Sequence, residues 1–441
     1  MKRSVLIWGC CASLLFSACG DHGSPPLDDG ENTNPIPTTI TVTGKVLDGS
    51  GAAATKVSIL IPGDGRQVVN VDGSGAFSVS GVTPPYDLIV AEKERRSAAI
   101  YKGLTLKTLT LSLEEDTESV SRKATVKGTV TGEVASSSAR TEVNFVSARG
   151  SGSGSSGFEG SYSLDVNWLD ATPVTGTLYA VQSEQSSAFV PPTSYLSFGR
   201  RDNVSLDDNA TLSAQDIALS AVTNSSLAGN ITVPTGYALS LVSVNLVPES
   251  ATEVPLFSDF APKNAFSYVV PQIPQFTFSM NVFAREENAS DPDNAAGLIF
   301  FKRGLPAGVT NATMVFQSAA RPAQPVNEAK EVTRTTAFSW SPYATGVHRI
   351  LFQEDKSDNQ TPYKVSILMS GTQTTLPDLS ALGMVVPAST EFTWYVQGLG
   401  PVDSVDALVG LLENGDPTKA GPEDFHSSLS ETRTFTTAAT P

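Results

Sequence analysis

Reactive side chains are few in this 441-residue chain, and their positions restrict the chemistry open to them. The cysteines are Cys10, Cys11 and Cys19, and the histidines are His22, His348 and His426. Disulfide frameworks and thiolate metal sites need thiols spread through the ordered chain, so neither is expected, and no cofactor is implied. There is no H-E-x-x-H, no G-x-S-x-G elbow and no Asp-rich EF-hand loop. Acid pairs occur at Asp207-Asp208, Asp291-Pro-Asp293 and Glu354-Asp355. Two carboxylates suffice for glycoside hydrolysis, and loop acids can hold calcium weakly, but solvated loops are the expectation for these. Gly152-Ser-Gly-Ser-Ser-Gly157 spells G-x-G-x-x-G. Pyrophosphate binding requires a helix N-terminus directly after those glycines, whereas Phe158-Glu-Gly-Ser-Tyr-Ser-Leu164 reads as a turn and a strand. A flexible Gly/Ser loop is therefore expected there. Trp168, near a strand end, is the one candidate ligand contact: its indole suits stacking on a sugar ring, with coverage of a sandwich edge as the competing role.

The N-terminus sets the compartment. Met1-Lys2-Arg3 is a positive start, Val5 to Phe16 an apolar run of signal-peptide length, and Phe16-Ser17-Ala18-Cys19 closes it. Cleavage before Cys10 or Cys11 would follow too short an apolar run. An uncleaved anchor would need the ~18 apolar residues of a spanning helix. Phe16-Ser-Ala-Cys19 resembles the lipobox of bacterial lipoproteins, with Phe16 where leucine is usual. The resemblance implies that the Cys19 thiol carries diacylglycerol, that the leader is removed before it, and that the new amine is acylated, palmitate being a typical chain. It also implies a cell-envelope protein whose membrane partner is engaged through lipid on Cys19. Gly20, rather than Asp, points by the same resemblance to the outer membrane of a Gram-negative bacterium. Lipidation would consume the one thiol left in the mature chain.

Charge limits the partners. Lys and Arg total 29 against 45 Asp and Glu, a net charge of −16. That keeps an exported chain soluble and argues against nucleic acid as a partner, which requires a basic phosphate-binding surface. Lys93-Glu-Arg-Arg96 is expected to be a solvated hairpin end. From Gly20 to Pro37 the chain is polar, acidic and Pro-bearing, too poor in apolar side chains to offset its ordering entropy, and is expected to be a disordered tether.

Beyond Thr38 the pattern is that of strands. Val42, Gly44 and Val46 alternate with Thr41, Thr43 and Lys45, and further alternating runs follow at 57–61, 67–71, 76–79, 86–92, 98–102 and 106–113. Turn signals at Asp64-Gly65 and Asp72-Gly-Ser-Gly75 separate them. About seven short strands without an amphipathic helix predict a β-sandwich. Val42-Thr-Gly-Lys-Val46, Asp48-Gly-Ser-Gly51, Val57-Ser-Ile59, Asp72-Gly-Ser-Gly-Ala-Phe77 and Pro85-Tyr-Asp-Leu88 resemble the carboxypeptidase regulatory-like domain, a transthyretin-like fold. Ala52 replaces the proline usual after the turn. The resemblance implies a seven-stranded, non-catalytic module and carries over no site residue.

The pattern then recurs. Val126-Lys-Gly-Thr-Val130 and Leu227-Ala-Gly-Asn-Ile231 repeat Val42-Thr-Gly-Lys-Val46, and Tyr162-Ser-Leu164 and Phe266-Ser-Tyr268 repeat Phe77-Ser-Val79. A repeat of ~80–100 residues predicts an array of self-contained domains rather than a solenoid. In the last part, Phe338-Ser-Trp340, Val386-Pro387, Phe392-Thr-Trp-Tyr-Val396 and Arg433-Thr-Phe-Thr-Thr437 resemble a fibronectin type III domain. Phe392 stands where the corner tyrosine would be. Phe392, Trp394, Val396 and Trp340 are expected in its core. In the long insertion 398–430, Val405, Leu408, Leu411 and Leu412 share a helical face, with Asp403 or Ser404 as cap and Gly415 as stop. Such a helix would cover a sandwich end or form a partner-binding lid.

The expected organisation is all-β: a signal peptide at 1–18, lipidated Cys19 and linker at 19–37, then tandem β-sandwiches (transthyretin-like or Ig-like) at 38–117, 118–222, 223–320 and 321–441. The expected role is non-enzymatic, with loops presented to a glycan or a cell-envelope protein. The alternative is an accessory or catalytic component of surface polysaccharide processing.

Overall fold

The computed structural model describes residues 39–440 except 49–51, 64–66, 114–119, 170–171, 187–189, 249–252, 345, 357–360 and 413–423. Cys19, the leader and the 20–37 linker lie outside the described residues, as does the expected helix stop at Gly415. The chain divides into two compact units. One comprises Met1–Glu115, Ser318–Asp416 and Ser427–Pro441; the other comprises Asp116–Gln317 and Pro417–His426. Both are built of β-sandwiches in tandem.

The first sandwich runs β1 (Ile40–Leu47), β2 (Ser58–Ile61), β3 (Gln67–Asn70), β4 (Ala76–Val82), β5 (Tyr86–Glu92), β6 (Ser97–Leu104) and β7 (Thr108–Ser112), within a few residues of the sequence expectation. β1 is the middle strand of one sheet, antiparallel to β4 and parallel to β7; the other sheet has the order β6-β5-β2-β3. Period-two alternation puts Val42 and Val46 into the core, as it does Leu88 and Val90 on β5. The Asp72 carboxylate shapes the β3–β4 turn by accepting from the Ser74 N–H and hydroxyl and the Ala76 N–H at 2.7–3.0 Å.

In the second unit, the second sandwich comprises β8 (Ser121–Thr131), β9 (Ala139–Val146), β10 (Gly150–Ser155), β11 (Ser161–Leu169), β12 (Val174–Glu184), β13 (Ser194–Leu206) and the short β14 (Thr211–Leu212), β15 (Ile217–Ala218) and β16 (Ser220–Ala221). The third comprises β17 (Thr223–Thr232), β18 (Tyr237–Val247), β19 (Val254–Asp259), β20 (Ala265–Gln272), β21 (Thr277–Glu286), β22 (Gly297–Leu305) and β23 (Ala312–Val315). The third repeats the first strand for strand: β20-β17-β23 in one sheet and β19-β18-β21-β22 along the other. The second keeps the same succession, but β10 pairs with both β9 and β11, so its strands form one continuous sheet, β14-β8-β11-β10-β9-β12-β13-β16.

β10 corrects an expectation. Its residues Gly150–Ser155 overlap the Gly152–Gly157 stretch expected to be a flexible loop. The serines point outward, and the glycines lie against β11, where a Cβ at Gly152 would strike the Asp165 carbonyl oxygen. Only a strand without side chains on that face passes this close to its neighbour.

The repeated Val-x-Gly-x-Val segment is the first strand of each copy. Gly44, Gly128 and Gly229 lie opposite Phe77, Tyr162 and Phe266 on the fourth strand. A Cβ at any of the three glycines would collide with a carbonyl oxygen of the chain closing that sandwich, at Leu109, Gln215 and Ala312 respectively. The glycine admits the last segment, and the buried aromatic closes over the gap.

The fourth sandwich comprises β24 (Pro322–Gln324), β25 (Ala329–Val332), β26 (Phe338–Trp340), β27 (Val347–Glu354), β28 (Lys364–Met369), β29 (Gln373–Thr374), β30 (Glu391–Gly400), α1 (Val405–Leu412) and β32 (Arg433–Thr437), while β31 (Asp424–Leu429) begins in the 417–426 segment of the second unit. β24-β26-β29 form one sheet; β28-β27-β30 run side by side in the other, with β32 against β30 and β25 parallel to β32. Phe338, Phe352, Phe392, Trp394 and Phe435 fill the core edge-to-face and stacked.

Within the first unit, β28 pairs in parallel with β6, from Ser97↔Lys364 to Leu368↔Tyr101. The sheet therefore continues β30-β27-β28-β6-β5-β2-β3. One apolar cluster takes Leu60, Ile89, Ala91, Ala98 and Ile100 from the first sandwich together with Trp340, Phe352, Ile367 and Trp394 from the fourth. The β5–β6 turn differs from the solvated end expected of Lys93–Arg96. The Arg96 guanidinium donates to buried Glu354 at 2.8 Å and to the Thr361 carbonyl at 3.1 Å, and lies 5.8 Å from the centre of the Tyr363 ring. The α1 helix starts at Ser404, whose hydroxyl accepts from the Ala407 N–H at 3.1 Å. Val405, Leu408 and Val409 are buried, and α1 packs against β6 and β7, where Asp406 accepts from the Thr105 N–H at 3.0 Å.

Candidate functional site

An open concavity lies at one end of the second sandwich, where the β8–β9 connection meets the turn between β10 and β11. Val130, Gly132, Glu133, Ala135, Ser136 and Glu159 are among the residues around a groove of about 810 Å³. Its walls are irregular backbone fixed by side chains. The buried Gln182 amide accepts from the Val134 N–H at 2.8 Å and donates to the Val134 carbonyl at 3.0 Å, pinning the loop as a strand partner would. Glu184 accepts from the hydroxyls of Ser136 and Ser194, each at 2.9 Å, and these bonds hold its carboxyl below the usual carboxylate range.

Two carboxylates line the groove. Glu133 is oriented by the hydroxyls of Thr141, at 2.5 Å, and Ser156, at 2.8 Å, both on Oε1. Its Oε2 lies 3.2 Å from where a Cβ at Gly160 would stand, so glycine keeps this wall open. Glu159 holds a left-handed backbone, φ 59°, in the short 3-10 turn Phe158–Gly160. Carboxylates and serine hydroxyls at the mouth suit hydrogen bonding to hydroxyl or ammonium groups of a ligand.

The residues singled out in the sequence lie elsewhere. Trp168 is 2 % exposed and packs among Val126, Leu164, Val166 and Leu178 in the core of the second sandwich. This corrects its candidacy as a ligand contact: no ring face is open to a sugar. The reason is its even position on β11, in phase with Leu164 and Val166. Asp208 pairs with Arg122 at 2.8 Å, and that bond lowers its pKa. Asp291 accepts from the Asp293 N–H at 3.0 Å as a turn cap. Glu354 is spent on Arg96 and the Tyr363 N–H. His348 is buried beside Trp340, its Nε2 accepting from the Tyr343 N–H at 2.9 Å. His426 is also buried, against Phe300. Among the described residues, no three His, Cys, Asp or Glu side chains converge as a metal-ligand set. Sequence reasoning missed Glu133, Glu159 and Gln182. The available signal was Gly132-Glu133 ahead of the serine run 136–138, in a stretch without periodicity.

No protein-family model and no curated protein matches this chain. Among solved structures, the Bacillus anthracis TIE protein is 10% identical, over 63% of this chain and 50% of that one, with a TM-score of 0.16. The FN1-FN3 domains of chicken CNTN1 are 9% identical over 68% of this chain and 89% of theirs, with a TM-score of 0.17. A Ca2+-stabilized adhesin of an Antarctic bacterium that binds ice is 13% identical over 81% and 94%, with a TM-score of 0.11. This chain spans half of the TIE structure and 26% of a leucine-rich repeat protein from Bacteroides thetaiotaomicron. Among the described residues, no helix is long and apolar enough to cross a membrane.

Proposed function

We propose that this is a non-enzymatic, lipid-anchored protein of the cell envelope, held through Cys19 at the outer membrane of a Gram-negative bacterium, whose tandem sandwiches bind a glycan or a protein partner. The division at 38–117, 118–222, 223–320 and 321–441 belongs to this reading, as does the likeness of the first segment to carboxypeptidase regulatory-like domains. The seven strands β1–β7 support that likeness. The Trp340 and Phe392 core positions support a fibronectin type III-like fourth segment.

The observation that carries the binding role is the groove of the second sandwich. Loops with no structural duty would be left loose. Here Gln182, Glu184, Thr141 and Ser156 fix the loop before any ligand arrives, which lowers the ordering cost of binding. The test is a glycan and envelope-protein binding screen on the chain from Cys19 onward, with Glu133→Gln and Glu159→Ala variants. Binding lost in these variants, at unchanged thermal stability, supports the reading. Turnover of a polysaccharide dependent on Glu133 would replace it with the processing role. For the anchor, cells fed a palmitate analogue should label the wild-type chain and not Cys19→Ser; equal label on both ends the lipid claim.

A further inference from the structure

In the first and third sandwiches the strand by which the chain enters lies parallel to the strand by which it leaves, and in the second the entering strand lies parallel to two short strands near the end of that sandwich. β1 pairs with β7 from Thr43↔Thr108 to Leu47↔Ser112. β17 pairs with β23 from Gly229↔Ala312 to Thr232↔Val315. β8 pairs with β14 at Thr125 and Val126 and with β15 at Val130 and Thr131. The fourth sandwich differs: its entering strand, β24, is antiparallel to β26, and it is the second strand, β25, that lies parallel to β32, at Ala329↔Phe435 and Val332↔Thr437. In the first three, the entering strand is also bonded on its other edge, to β4, β11 and β20.

The direction of pairing decides how such a strand answers tension. When two strands are antiparallel, the start of one lies beside the end of the other, and pulling on those ends opens the ladder one bond at a time. When they are parallel, those ends lie at opposite ends of the ladder. Tension then runs along the strands and loads every bond together. The three repeated glycines serve this contact, because a Cβ at Gly44, Gly128 or Gly229 would collide with the closing chain.

We propose that the first three sandwiches are built to carry tension, with the first acting as a mechanical lock on the segment that precedes it. β1 is the strand that every pull transmitted through that segment must extract. It is held by β7 in shear and by β4 along its other edge. The role rests on the tethered reading for its purpose but not for its test, which uses purified protein without lipid.

The experiment is single-molecule extension of the chain from Cys19 onward, with DNA handles on two thiols. One handle is on Cys19. The second is on Val120→Cys, which lies beyond β7 and is exposed, or on Thr83→Cys, which follows β4 and is also exposed. Ile40 lies opposite Val82, so the Cys19–Thr83→Cys pair peels β1 from β4 bond by bond. The Cys19–Val120→Cys pair loads the β1–β7 ladder in shear. The expected result is a rupture force at least about twofold higher for the Val120→Cys geometry, since forced unfolding reads the unfolding barrier along the loaded direction. Equal forces, or a higher force for the Thr83→Cys geometry, overturn the proposal. Gly44→Val in the Val120→Cys background is expected to remove the excess force. Should that variant fail to fold, the comparison of the two pulling geometries decides alone.

Discussion

At the scale of residues, position on an element determined what each side chain does. Trp168 illustrates this: a tryptophan at a strand end reads as a sugar platform until its phase with Leu164 and Val166 is counted, and that phase puts it inside. Trp168→Ala is expected to destabilise the second unit by roughly 3–5 kcal/mol, measured by urea unfolding, while leaving binding by the folded fraction unchanged. Arg96 was legible as a charge and not as a contact, because Glu354 lies 258 positions away. Arg96→Ala should cost about 2 kcal/mol, the scale of a hydrogen bond to a charged group. A double-mutant cycle with Glu354→Gln measures the coupling. His348 gives a pH signature. Burial holds its pKa below the ordinary 6.5, so between the folded value and 6.5 the unfolded chain binds the extra proton. Its contribution to stability is therefore full above about pH 6.5 and is lost as pH falls through that window. The urea midpoint should drop on acidification less steeply in His348→Gln than in the wild type.

At the scale of elements, the strands were the most legible feature, since apolar alternation is a local signal that survives in any sandwich. The observed β1 to β7 follow it closely. The helix in the insertion was legible as well, from one apolar face and a cap at Asp403 or Ser404, of which Ser404 is the one used, because both signals lie within a dozen residues. What was not legible was the surface it covers: nothing near residue 405 indicates β6 and β7. β10 was misread for the opposite reason. Glycine has poor strand propensity, and what makes this run a strand is its pairing with β9 and the close approach of β11, which the composition of the run does not encode. Gly152→Val should therefore be far more damaging than a substitution in a flexible linker, with loss of cooperative unfolding of the second unit in calorimetry. Gly297→Ala, at a site with open space around it, should be nearly silent. The candidate groove shared this fate: its loops are ordered by Gln182 and Thr141, which sit on strands outside them.

At the scale of the whole molecule, the sequence repeat predicts beads on a string, while contacts across hundreds of residues tie the first sandwich to the fourth. The pairing of β6 with β28 and the cluster around Ile100, Ile367 and Phe352 give these two segments one sheet and one core. A repeat pattern carries no information about which copies will share a core, because edge strands of similar composition are interchangeable until tertiary packing chooses among them. The second unit, residues 116–317 with 417–426, has its own cores, including the cluster around Phe145 and Trp168. Cooperativity should follow cores rather than repeats. Ile100→Ala removes a side chain that is 3 % exposed at the shared cluster and should cost roughly 2–5 kcal/mol. Hydrogen exchange read by mass spectrometry should then show β1, β5, β27 and β30 losing protection together, with β8, β17 and β18 unchanged. Loss confined to β1–β7 would mean that the fourth sandwich folds without the first, and that the shared sheet is a contact between independent domains rather than one cooperative body.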